Sequence, residues 1–105
     1  MKMAIPISPN VNQLQNTGSC KKCDLENADL SGVDLSNAAL EKAVMNGINL
    51  SGANLSDSFL NGANLSDANL SGATLHGAVV SGASFSGATF CNSITSDGET
   101  DSSGC

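Results

Sequence analysis

Apolar residues return every five positions along the stretch from Cys23 to Asn92. Taking each unit about its central residue, the centres are Leu25, Leu30, Leu35, Leu40, Met45, Leu50, Leu55, Leu60, Leu65, Leu70, Leu75, Val80, Phe85 and Phe90, all apolar. Two residues before each centre stands Ala in ten of the fourteen units, and Cys23, Val33, Ile48 or Ser58 in the others. Two residues after it comes Gly in eight units, Asn in three, Asp in two and Lys42 in one. In extended backbone successive side chains point to opposite sides, so the small residue and the centre face inward while the residue between them faces out. That outward slot holds Asp24, Asp29, Asp34, Asn49, Asn54, Asn64, Asn69, Thr74, Ser84 and Thr89. An alternation of two cannot run on through a period of five, so the remaining residues must turn the chain. Gly, Asn and Asp tolerate left-handed backbone and fill thirteen of the fourteen turn positions. The pattern predicts short strand, corner, short strand, corner.

Such a unit cannot bury its inward pair alone and must stack on copies of itself, which makes the chain an all-β solenoid. A helix fails because a spacing of five walks around a 3.6-residue turn and because regular Gly costs roughly 1 kcal/mol each in a helix interior. Disorder fails because apolar residues keep phase through all fourteen units.

Units such as Ala53-Asn54-Leu55-Ser56-Asp57, Ala63-Asn64-Leu65-Ser66-Asp67 and Ala68-Asn69-Leu70-Ser71-Gly72 resemble the A(D/N)LXX motif of the pentapeptide-repeat family. The resemblance implies a right-handed quadrilateral β-helix with four units to a coil. Fourteen units then make about 3.5 coils, and at a strand spacing of about 4.8 Å the repeat region is roughly 17 Å long. Val11-Asn12-Gln13-Leu14 followed by Cys20-Lys21-Lys22-Cys23-Asp24-Leu25 is similar to the start of many cyanobacterial members of the family.

Outside the repeats, residues 1–22 form an N-terminal segment and 93–105 a C-terminal capping tail. Met1 to Ser8 reads as extended and apolar-leaning, with no secretory signal, and Pro6 and Pro9 oppose an early helix. Ser8 is placed to cap a short helix with Pro9 at its first position, running through Val11 and Leu14 to a stop at Gly18. This helix is expected to close the first coil and hide part of its strand edge. The cysteines lie only beside the solenoid ends, Cys20 and Cys23 at one and Cys91 and Cys105 at the other. Two end staples and four reduced thiols both fit that placement. One zinc site taking all four does not, because the pairs stand at opposite ends of the rod.

At 105 residues the chain is one domain, and its net charge of −6 opposes a basic nucleic-acid surface. No apolar run approaches membrane-spanning length. The search for chemistry finds none that converges. His76, the single histidine, follows centre Leu75 and points outward among Gly, Ala and Ser. Ser recurs at fixed repeat positions without a His and an acid beside it, and Asp24, Asp29 and Asp34 lie on three successive faces. The glycines are corners, since no Gly-rich loop opens a helix. The expectation is no enzyme, no cofactor, no metal and no small-molecule substrate.

One face departs from polarity. Outward residues twenty apart share a face, and Ala39, Phe59 and Val79 line one of them, with Val44 around the corner. This stripe is expected to contact a protein partner or a second copy, making the protein a structural or interaction module. The alternative that the resemblance offers is an acidic duplex-DNA mimic acting on a type II topoisomerase. Acids outnumber bases seven to one within the repeats, but residues 68–96 carry no charge, so no continuous phosphate-like row runs along the rod. Nor is there an ice-binding threonine ladder, because Thr74 and Thr89 lie on different faces. Localisation follows the cysteines: periplasm or thylakoid lumen if they are bridged, cytoplasm if they are not.

Overall fold

The computed structural model describes residues 9–105. The readings of Met1 to Ser8, including the Ser8 cap, lie outside the described residues. From Ser19 to Ile94 each outward residue pairs in parallel with the one twenty positions on: Ser19 with Ala39, Ala39 with Phe59, Phe59 with Val79, and so around the four faces to Thr74 with Ile94. Twenty residues are four units, so every turn of the winding has four short faces and four corners.

One hydrogen-bond arrangement repeats throughout. The N–H of a centre donates to the outward carbonyl nineteen residues ahead, as Leu40 does to Phe59 at 2.8 Å. The N–H of an outward residue donates twenty-one residues back, as Phe59 does to Ala38 at 2.8 Å. Corner N–H groups also reach the next coil, Gly52 to Ser71 at 2.8 Å, and each corner is closed by a bond such as Ala53 N–H to the Leu50 carbonyl at 3.0 Å. Backbone polar groups are thus satisfied between coils rather than along extended strands.

Every corner residue from Lys22 to Asn92 is left-handed, with φ between 58° and 79°, and Lys42 at 60° adopts the same turn as its Gly, Asn and Asp counterparts. The ladder takes in Ser19 as well, because Gly18-Ser19-Cys20-Lys21-Lys22 forms a further unit with Cys20 buried at its centre and Lys22 at its corner. Inside, the Leu centres from Leu25 to Leu75 are buried with Met45 and the inward Ala residues from Ala38 to Ala78, while Ala28, Ala83 and Ala88 near the ends are partly buried. Val80, Phe85 and Phe90, in the last coil, are only partly buried.

The two ends differ. Helix α1, Pro9–Thr17, lies against the first coil and ends at Gly18, whose φ of 72° and N–H bond to the Leu14 carbonyl (2.8 Å) close its last turn. Leu14 is buried, Val11 packs beside it, and polar side chains of the helix cover open strand carbonyls: Asn10 donates to Asp24 (3.1 Å) and Gln13 to Ser19 (3.0 Å). At the other end β1, Ser93–Ile94, continues the ladder. The chain then turns back as β2, Thr100–Asp101, antiparallel to β1. Ser93 is fully buried and donates to the Leu70 carbonyl at 2.5 Å. Cys20 is joined to Cys23, and Cys91 to Cys105, with Cα atoms 5.3 and 4.6 Å apart.

Candidate interaction surface

The outward slot has a structural duty that explains its usual composition. Asp24, Asp29, Asp34, Asn49, Asn54, Asn64 and Asn69 each accept, through a side-chain oxygen, the backbone N–H two residues on, at 3.0 to 3.1 Å. These Asx turns satisfy a corner N–H that no carbonyl of the next coil reaches. At Asp29 and Asp34 the following Ser hydroxyl bonds the same oxygen, and those bonds hold both carboxyls below the ordinary carboxylate value. The period of five predicted a polar residue here; the Asx-x-Ser spacing was the signal for what it does.

Against that background Ala39, Val44, Phe59 and Val79 stand out, since an apolar side chain supplies no acceptor. The N–H groups of Glu41, Asn46, Asn61 and Ser81 accordingly have no partner among the described residues. Ala39, Phe59 and Val79 are bridged in succession on one face, and Val44 lies on the adjoining face between Asp24 and Asn64. Phe59 is 43% exposed, Val79 40% and Val44 39%, the large apolar side chains most open to solvent among the described residues. Each of the three gives up a corner bond worth about 1 kcal/mol and leaves apolar surface in water.

Among the described residues no other part of the surface gathers reactive groups. His76 is exposed, its ring beside Gly98 of the tail turn and its N–H against the Thr74 hydroxyl at 3.4 Å. Among the described residues no three His, Cys, Asp or Glu side chains are grouped to hold a metal ion, and no helix is long and apolar enough to cross a membrane. The sequence reading passed over one feature: Leu75, Val80, Phe85 and Phe90 line a cavity of about 140 Å³ that opens at the C-terminal end.

The sequence profile described as pentapeptide repeats (8 copies) matches residues 19–47 and 48–87, the stretch that carries the twenty-residue ladder. The chain belongs to the pentapeptide-repeat family. Pentapeptide-repeat proteins are right-handed quadrilateral β-helices and, in general, non-enzymatic structural or interaction modules. Among solved structures the chain is similar to HetL, a pentapeptide-repeat protein involved in heterocyst differentiation regulation in the cyanobacterium Nostoc, with 32% identity and a TM-score of 0.51. That likeness covers 79% of this chain but 43% of HetL, so the chain spans less than half of HetL's length. A pentapeptide-repeat protein of the Arabidopsis thaliana thylakoid lumen superposes with a TM-score of 0.59 at 23% identity, over 89% of this chain and 87% of that one. A further member, from the cyanobacterium Cyanothece, is 25% identical over 82% of this chain and 97% of its own length, with a TM-score of 0.49. No curated protein matches the sequence.

Proposed function

We propose that this protein is a non-enzymatic interaction module, a rigid β-helix of about 3.5 coils over residues 23–92, closed by the helix within 1–22 and by the tail 93–105. Its contact surface is the apolar stripe of Ala39, Phe59 and Val79 with Val44 beside it. The observation that carries this reading is Phe59, bridged between Ala39 and Val79 and open to solvent in a slot where Asn or Asp would complete the corner. A repeat fold has no need of that exchange; a docking face does. The stripe is narrow beside the roughly 800 Å² per partner of a standard interface, which suits a partner that also touches the polar rim.

The duplex-mimic reading fares less well. Asp24, Asp29 and Asp34 belong to different faces, and no charge lies between residues 68 and 96. The bridged cysteines favour an oxidising compartment as the place where the module works.

The test is Phe59→Asn, which restores the corner acceptor. The variant should fold as well as the parent, and a protein retained from host extract by the immobilised parent should be absent from the variant's eluate by mass spectrometry. Equal retention by both proteins would remove the stripe from the account.

A further inference from the structure

The last coil is not closed in the way the first one is. One coil earlier, the N–H groups of Leu60, Gly62, Leu65 and Asp67 donate to Val79, Ser81, Ser84 and Ser86 at 2.7 to 2.9 Å. Their equivalents at Val80, Gly82, Phe85 and Gly87 have no partner among the described residues, nor do the carbonyls of Ala78 and Ala83. The tail covers only the other two faces: Ile94 sits over Thr74, and Ser103 accepts the N–H of Phe90 at 3.1 Å. Because the chain turns back after Ser96, nothing fills the inward slots above Val80 and Phe85. The cavity there is floored by Leu75, Val80, Phe85 and Phe90, with the two Phe rings 5.6 Å apart. It is comparable to the roughly 150 Å³ that admits a benzene-sized group.

We propose that this end is a strand-docking site for an extended segment of another protein, apolar at alternate positions and bearing Lys or Arg between them. The open N–H and carbonyl groups would pair with its backbone as a further coil does, and its apolar side chain would enter the cavity, the division of labour in β-augmentation. The charge follows from the rim. Asp101 lines the cavity, Asp97 and Glu99 stand in the adjoining turn, and no Lys or Arg occurs anywhere from residue 43 to 105. A second copy is the poorer occupant. Two C-terminal ends would set these acids against one another, and at the opposite end Asp24, Glu26, Asp29 and Asp34 outnumber Lys21 and Lys22 and α1 covers the strand carbonyls. The site stands on residues other than those of the lateral stripe and does not depend on it.

The probe is a fluorescent ten-residue peptide, Ala-Lys-Leu-Ser-Gly twice over, titrated into the disulfide-intact protein. Anisotropy should report saturable binding, and amide resonances of Val80, Gly82, Phe85 and Gly87 should move. Replacing the peptide's Lys by Asp, or using the Asp101→Asn variant, should weaken binding, the former by about tenfold. The Phe59→Asn variant should bind the probe as the parent does, so the two surfaces can fail separately. No binding at about 1 mM peptide, shifts confined to the α1 end, or affinity indifferent to peptide charge would overturn the proposal. So would concentration-dependent self-association that moves the same four amides without peptide.

Discussion

The carboxylate of Asp57 folds over Gly77 one coil on and occupies the space that a Cβ on Gly77 would need. Asp67 stands in the same relation to Gly87. Asn27 and Gly47 repeat the arrangement, so at three corners an Asn or Asp side chain leans over a glycine of the next coil, whereas Lys22 and Lys42, or Asn37 and Asp57, stack two side-chain-bearing corners. Gly77→Ala should cost about 1–2 kcal/mol, from left-handed backbone at φ 79° while the Asp57 carboxylate swings aside, and lower the melting temperature by roughly 5–10 °C in a calorimetric scan.

Lys42 gives the opposite case. It holds φ 60° with a full side chain, and the residue above it is Gly62. Lys42→Gly should leave the fold unchanged and raise stability by about 1 kcal/mol in urea unfolding, since the left-handed turn then carries no Cβ penalty.

Ser58 occupies an inward slot that Ala fills in ten units. It is fully buried, and its hydroxyl has no hydrogen-bond partner among the described residues. Ser58→Ala should stabilise the protein by about 1 kcal/mol, because it removes a desolvated polar group without opening a cavity. Thermal unfolding of parent and variant side by side decides it.

The two disulfides should yield to a dithiol reductant in a fixed order. Cys105 is exposed, whereas Cys20 is completely buried. Alkylation and mass mapping during graded reduction should label Cys91 and Cys105 first. Opening that bridge, whose cysteines are fourteen residues apart, should cost up to about 3 kcal/mol of global stability. Simultaneous labelling of all four cysteines would mean that the first coil opens as readily as the tail.

Acid should reveal the corner carboxylates. Asp29 and Asp34 are held below their ordinary value of 3.8 first by the Ser31 and Ser36 hydroxyls and then by the backbone N–H groups of the same residues. A depressed folded-state value means that their contribution is complete above about pH 3.8 and disappears as pH falls through the lower folded value. Melting temperatures should therefore fall below that point, and the double variant D29N/D34N, which keeps the acceptor oxygens, should show a shallower decline.

The sequence carried the period, the inward pair and the left-handed corners, because each is a local choice repeated many times. The apolar face of α1 and its stop at Gly18 were equally legible. Less accessible were relations between coils. That the Asp57 carboxylate lies over Gly77, or that a chain turning back after Ser96 leaves Val80 and Phe85 uncovered, depends on a register of twenty, and one unit considered alone does not contain it. Lys22 is illegible as a corner for a related reason: its residue type is wrong for the turn, and its left-handed φ of 59° and its bond to Glu41 in the next coil (2.9 Å) place it there.

The fixed span of the ladder also bears on how the protein comes into being. No backbone hydrogen bond among the described residues reaches further than twenty-one residues along the chain, so each coil needs only the one before it as a template. A ribosome delivering the N-terminus first would present α1 and the Cys20–Cys23 end to the first coil before the last was made. Assembly can then proceed by winding rather than by collapse, with the Cys91–Cys105 bridge closing only after the coils beneath it are wound.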